Sequence, residues 1–367
     1  MSPHTSVAIF RLRRQFATER GSLPSALLAI SQRTAKGFLL SLATLRTCDV
    51  SGIVRCENLA NNGEMAAGGV KLTGRRAVFA GVARDCAAHL PAVLENLGRF
   101  AALYDEAAFH FVLSDTRDDS RAILERWLVD NGRRGRVLDL GVLDDRLPQR
   151  TVRIAHARNA GLDDIRLSPW AGYDHLVVAD LDDVVASPMA TDGFAQAALW
   201  LNAEPSRAGV MANASPRYYD VWALRHDQWC PDDCWHPIWG RPADEAFEAA
   251  KFREVFTRQI VIPPTLAPIA VRSAFGGLGI YRMSFALANR YVGLDSRGRE
   301  ASEHVAFNTA ITESGGQLHI FPALQVRAPQ QHLYQPTDFK FRWRMAMRAR
   351  RAAELIQPPW RQLLTRP

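Results

Sequence analysis

The sequence predicts an α/β protein with a mostly parallel central sheet flanked by helices. Three observations predict it. Short apolar runs of β character alternate with helical patterns between residues 76 and 179. The run at 175–179 ends in a cluster of carboxylates, Asp180, Asp182 and Asp183. Hydrophobic residues make up 47% and charged residues 23% of 367, the ordinary make-up of a globular enzyme of one large domain or two small ones.

The elements follow in order. Residues 77–82 (Ala-Val-Phe-Ala-Gly-Val) are a short apolar strand. Pro91 fits the first turn of a helix, with Val93, Leu94, Leu97 and Ala101 at helical spacing behind it. Residues 109–113 form a second strand. Ser120 is placed to cap the next helix, whose inner face carries Ile123, Leu124, Trp127 and Leu128. Residues 137–140 form a third strand, residues 153–160 a helix, and residues 175–179 the strand that leads into Asp180. Alternation of this kind implies a parallel sheet, and ligands of such sheets bind outside the carboxyl ends of the strands. Arg84-Asp85, Ser114-Asp115 and Asp180-Leu181-Asp182-Asp183 are therefore expected around one crevice. Beyond residue 183 the pattern becomes irregular and rich in aromatics and prolines.

Charge divides the chain into three parts. Residues 1–74 lack a strand–helix rhythm, run into a loop-like stretch at Asn61-Asn62-Gly63, and read as a basic appendage with a linker. Residues 75–335 read as a single catalytic domain. Residues 336–367 read as a basic C-terminal helix in which Phe339, Phe341 and Trp343 interleave with Lys340, Arg342 and Arg344. The net charge of +7 is concentrated at the two ends, and residues 77–335 carry −6. An acidic middle lacks the continuous positive stripe that nucleic acid requires, so no nucleic-acid partner is expected. The basic ends fit an anionic membrane surface better, either as a peripheral contact or as solvated helix faces. Residues 26–45 are interrupted by Arg33 and Lys36 and do not read as a span. Five scattered cysteines and no recognisable signal peptide point to a cytoplasmic, reducing setting.

Three carboxylates so close at a strand end repel one another, and either hydration or a divalent cation relieves the repulsion. Mg²⁺ or Mn²⁺ prefers oxygen ligands and bridges one or two carboxylates to substrate phosphates. A solvated acidic turn is the plainer alternative.

The ordered set of motifs resembles the GT-A (Rossmann-like) glycosyltransferases. The residues that carry the resemblance are the opening strand at 78–82, Thr116-Arg117-Asp118-Asp119-Ser120, Arg158-Asn159 and Asp180-Leu181-Asp182. Three later stretches resemble the capsule-associated mannosyltransferase family and its bacterial relatives: Tyr219-Asp220-Val221-Trp222-Ala223-Leu224-Arg225, residues 275–282 around Gly276-Gly277, and Ser302-Glu303-His304-Val305. The resemblance implies a metal-dependent hexosyltransferase, with mannose one candidate sugar, moving that sugar from a nucleotide-sugar donor to a glycan or lipid-linked acceptor of surface polysaccharide synthesis.

Residue by residue, the resemblance implies that Ala83, Arg84, Asp85 and Asp118 lie by the nucleotide base or ribose. Arg158 and Asn159 would brace the nucleotide, with Gly276 and Gly277 beside the donor sugar. Asp180 and Asp182 would hold Mn²⁺ or Mg²⁺, Asp182 being central to catalysis, and Glu303 would act as general base. A metal-ligating histidine is expected near the domain end, His332 ahead of His319. Asp220, Trp222, Arg225 and His304 are expected on the acceptor side.

Plainer roles compete. Asp118 fits a helix cap, Arg158 a surface ion pair, the glycines a tight turn, and Glu303 a helix-dipole partner. His226, Cys230, Cys234 and His236 fall within eleven residues and could hold zinc, form a disulfide or stay free thiols. Two other function classes remain. One is a haloacid-dehalogenase-type phosphatase, suggested by the apolar strand before Asp180-Leu181-Asp182-Asp183-Val184. The other is a non-catalytic sugar-binding relative.

Overall fold

A computed structural model describes residues 70–334. The expected basic appendage, apart from its last residues, and the aromatic C-terminal helix lie outside the described residues.

The chain order is β1 (Leu72–Ala83), α1 (Leu90–Ala101), β2 (Tyr104–Leu113), α2 (Ser120–Asp130), β3 (Arg134–Asp139), α3 (Arg150–Arg166) and β4 (His175–Ala179). It continues through α4 (Asp183–Ala186), α5 (Thr191–Asn202), β5 (Arg207–Ser215), α6 (His236–Trp239), α7 (Phe247–Glu254), β6 (Ile269–Val271) and β7 (Leu278–Arg282). It ends with α8 (Met283–Ala288), α9 (Glu303–Glu313) and β8 (Gln317–Arg327). The eight strands form one sheet in the order β3-β2-β1-β4-β7-β5-β8-β6. β1 pairs in parallel with β2 and β4, β2 with β3, and β5 with β8. β7 runs antiparallel between β4 and β5, and β6 antiparallel on β8. The expected fold class, a mostly parallel α/β sheet flanked by helices, is the one observed.

Both faces of the sheet are covered, which explains why its central strands read as unbroken apolar runs. Successive side chains point to opposite faces. Phe79, Val177 and Ala179 join a core with Leu94, Leu97 and Phe100 of α1 and Phe194 and Leu201 of α5. Val78, Leu176 and Val178 join the other core with Leu162 and Ile165 of α3 and Phe307 and Ile311 of α9. Phe100 and Phe194 stack at 4.3 Å between ring centres, and Tyr291 and Phe307 at 4.1 Å.

The irregular region carries a third, smaller core of Val221, Cys234, Ile238, Ala250 and Val255, with Trp222, Trp235 and Phe256 packed on it. Two capping expectations are corrected. Ser120 is the first residue of α2 rather than its cap. Asp119 is the cap residue and makes no side-chain capping bond, while Asp118, one residue earlier, accepts from the Ser120 amide at 2.9 Å. Ser302 stands at the N-cap of α9, but its side chain makes no capping bond.

Candidate active site

β1 is the switch point of the sheet: β2 and β3 lie to one side and β4 to the other. The loops leaving β1 and β4 therefore diverge and open a crevice at the carboxyl edge. A cavity of about 640 Å³ occupies it. β1 contributes Ala83 and Arg84 to its wall, β2 Ser114 and Asp115, and β4 Asp180, Leu181 and Asp182. From α3 come Arg150, Arg153, Ile154, Ala157 and Arg158. Their spacing, i, i+3, i+4, i+7 and i+8, is a single helical stripe. The start of α9 supplies Glu303 and His304, and His332 comes from the turn after β8.

The centre of the site is a chain of charges. Arg158 is 7% exposed, and its Nε donates to Glu303 Oε1 at 2.9 Å. Its second terminal nitrogen donates to Asp180 Oδ1 at 3.2 Å. This is a buried three-membered network and not the surface ion pair that was the plainer alternative for Arg158. Burial works against the Arg158 charge, but Glu303 and Asp180 outweigh it and hold the guanidinium protonated. Burial pushes the Asp180 carboxyl well up, and the neighbouring Asp182 adds to the rise, while Arg158 opposes it. Desolvation in the cavity wall also raises Asp182, partly offset by the Val184 amide that its side chain accepts at 3.2 Å.

Two carboxylates whose proton affinity is raised by burial and by a neighbouring acid form an oxygen-donor set suited to a hard divalent cation. Among the described residues no three His, Cys, Asp or Glu side chains stand as a ready-made metal cage. Phosphate oxygens and water would have to complete the shell, as Mg²⁺ sites usually require. His332, the expected third ligand, is in the cavity wall with its ring stacked 5.6 Å from that of Tyr219. Its turn is tied to the acidic loop by Gln331 Nε2, which donates to Asp183 Oδ2 at 3.1 Å. His319, the weaker candidate, lies on β8 against Trp200, away from the cavity wall.

Several expected site residues are not in the wall. The Asp118 carboxylate is used by the amides of Ser120 and Ala87 and by the Ser120 hydroxyl. Asp85 accepts from the Arg117 amide at 2.7 Å. Asn159 exchanges two 2.9 Å bonds with the backbone of Tyr291 and so latches α3 to the loop before α9. Gly276 and Gly277 have φ of +71° and +91°, the left-handed region that favours glycine. Their backbone holds the site from behind. The Gly276 amide donates to Asp220 Oδ2 at 2.9 Å, and the Gly277 carbonyl accepts from the Asp180 amide at 2.8 Å. Arg225 is buried and paired with Asp233 at 2.9 Å.

On the expected acceptor side, Asp220, Trp222 and His304 do line the cavity. Burial raises the Asp220 carboxyl. His304 stacks on Phe275 at 3.7 Å, and neither of its ring nitrogens has a hydrogen-bond partner among the described residues. Burial, followed by the nearby Arg158, holds it neutral.

Sequence reasoning placed Asp115 at the crevice but gave it no role. It accepts the amides of Leu143 and Asp144 through Oδ1, while Oδ2 is buried with no hydrogen bond among the described residues and faces Arg153 Nε at 3.9 Å. Burial favours its protonation, but the two amides outweigh it and hold the carboxyl below the usual range. The stripe of Arg150, Arg153 and Arg158 was missed as a set, although its helical period was visible in the sequence. Cys86, Cys230 and Cys234 are buried free thiols, and Cys230 meets Arg258 at 3.3 Å. In the 226–236 stretch no disulfide joins Cys230 and Cys234, and no three of its His and Cys side chains stand as a metal-holding group. His226 Nδ1 instead accepts the amides of Gln228 and Trp229.

Fold and site together define an α/β protein with a carboxylate-bearing cleft at the carboxyl edge of a mostly parallel sheet. No protein-family model matches the sequence, and no curated protein matches it. Solved structures that are similar in shape include the following three. One is a mannosyltransferase, PcManGT from Pyrobaculum calidifontis, in complex with GDP-Man and Mn²⁺: 16% identity, 71% of this chain and 60% of that one, TM-score 0.41. Another is residues 1–349 of S. aureus TarS with UDP-GlcNAc: 12% identity, 69% and 58% covered, TM-score 0.39. The third is M. tuberculosis glucosyl-3-phosphoglycerate synthase: 15% identity, 72% and 75% covered, TM-score 0.36. The chain spans under two thirds of the length of the first two. Likeness at this level assigns no family.

Proposed function

We propose that this chain is a metal-dependent glycosyltransferase that moves a hexose from a nucleotide-sugar donor to a carbohydrate acceptor. One observation carries the proposal. Asp180, Asp182 and His332 share a single cavity with Glu303, and Arg158 links the acidic strand end to Glu303. Asp180 and Asp182 would hold Mn²⁺ or Mg²⁺, with His332 at the rim. That cation, when bound, supplies charge neutralisation for a departing nucleoside diphosphate.

The chain's own residues do the rest. Arg84, Arg150 and Arg153 give the nucleotide end of the cleft a positive lining for phosphate oxygens. Asp115, whose second carboxylate oxygen makes no hydrogen bond and has only Arg153 near it at 3.9 Å, suits an amino or hydroxyl donor of the base or ribose. Arg158 fixes the Glu303 carboxylate, which acts as base on the acceptor hydroxyl and leaves its second oxygen outside the ion pair. Trp222 and Trp235 offer ring faces to the C–H patches of a sugar.

Mannose as the sugar, a glycan or lipid-linked acceptor in surface polysaccharide synthesis, a cytoplasmic location and a peripheral membrane contact belong to the same proposal. They rest on the sequence resemblance and the basic chain ends. No helix among the described residues is long and apolar enough to cross a membrane. The phosphatase alternative has less support, because its acidic motif would open the central strand order, whereas here three strands precede β4.

A panel of GDP- and UDP-sugars with Mn²⁺, read as donor hydrolysis, tests the proposal. Turnover of one donor that falls at least a hundredfold in Asp182→Asn is expected. Phosphate release from a simple ester, with no donor consumed, would replace this reading with the phosphatase.

A further inference from the structure

Resting on that reading, we infer that the acceptor carries an anionic group, a carboxylate or a phosphate, and that Lys251 receives it. Lys251 lies on α7 in the irregular region and lines the same cavity as Asp182 and Glu303. Its ammonium stands 5.9 Å from the ring centre of Trp235 and 5.3 Å from that of Phe256. No carboxylate pairs with it among the described residues, although its segment is rich in them. Asp233 is taken by Arg225, Glu245 by Arg253 and Glu254 by Arg258. Lys251 is thus a cation of this aromatic wall without a counter-charge among the described residues.

An ammonium half-buried against ring faces is partly stripped of water, which strengthens its attraction for an incoming anion. The wall around it suits a sugar. Trp222, Trp235, Val255 and Phe256 provide apolar surface. Gln259, 2% exposed and also in the cavity wall, has a side-chain oxygen with no hydrogen-bond partner among the described residues. Its nitrogen is already committed to the carbonyls of His332, at 2.7 Å, and Tyr219, so the oxygen is free to accept a hydroxyl. Ring face, hydroxyl acceptor and cation together fit a sugar acid or a phosphorylated sugar better than a neutral one.

The test compares acceptors with the donor that the panel selects: a neutral monosaccharide, the matching uronic acid, and the matching sugar phosphate. The wild type is expected to favour at least one charged acceptor over the neutral one by about tenfold or more in kcat/KM, the strength of a charge-assisted contact. Lys251→Met, which keeps the stem on the rings, should lower that ratio by about tenfold, mainly through KM. Lys251→Arg should restore most of it. Preference for the uronic acid or for the phosphate tells the two anions apart, and either supports the inference. Equal use of charged and neutral acceptors, or a preference untouched in Lys251→Met, overturns it while the donor reading stands. No donor consumption by the wild type overturns both.

Discussion

Arg158 shows how one side chain can decide the state of a site. It is enclosed, and it is the counter-charge for both Glu303 and Asp180. Removing one partner of a buried charge network leaves the others unpaired, which typically costs about 3–5 kcal/mol. Arg158→Met is therefore expected to lower unfolding free energy by about that amount in urea denaturation. Adding Glu303→Gln should recover part of the loss, a coupling a double-mutant cycle measures directly. A loss below about 1 kcal/mol would mean the network is open to water and contributes little. At this scale the sequence was partly legible. Asp180, Asp182 and Glu303 announced themselves through a strand end and a helix start. The bonds of Asp118 to Ser120 fit the helix-start reading of the sequence, but its bond to Ala87 and those of Asn159 to Tyr291 could not be seen, because these partners come from other elements.

At the scale of elements, the site depends on a turn it does not include. Gly276-Gly277 leads into β7, and its backbone secures Asp220 on one side and Asp180 on the other. A Cβ at Gly277 would stand 2.3 Å from Val184 Cγ1, and φ there is +91°. Gly277→Ala therefore meets both a clash and backbone strain. A loss of about 2–4 kcal/mol in stability is expected, accompanied by a fall in donor turnover as the Asp180 strand end shifts. Unaltered stability by thermal melting would show that α4 gives way easily. The helices α1, α2 and α3 and the first four strands were readable because a strand buried on both faces and a helix with one apolar face each leave a period. The segment between β5 and β6 left none. Its path is set by the small core of Val221, Cys234, Ile238, Ala250 and Val255, contacts that follow no local repeat.

The whole molecule adds a pH dependence that the site does not control. His175, fully buried in β4, bonds to Tyr104 and Asn202, and burial lowers its pKa to about 4. The unfolded chain holds that proton near 6.5, so acid favours unfolding through this group. Its contribution is fully present above pH 6.5 and is lost as pH falls towards 4. The stability gap between wild type and His175→Gln should be constant above pH 6.5 and shrink by about 3 kcal/mol by pH 4. A gap independent of pH in urea denaturation would place a charged imidazole in the folded protein.

The proposed function stands on one property of the cleft: an acidic strand end that grips a divalent ion, which in turn grips a nucleoside diphosphate. Thermal melting with Mn²⁺ and a nucleoside diphosphate in about hundredfold excess over Kd tests it, since such binding stabilises the folded state by about 2.7 kcal/mol. Wild-type protein is predicted to melt several degrees higher with both ligands than with either alone. Asp182→Asn should lose that gain while its unliganded melting point stays within about a degree, because asparagine keeps the cap on α4. An equal gain in Asp182→Asn, or no gain in the wild type with any diphosphate, would contradict the claim.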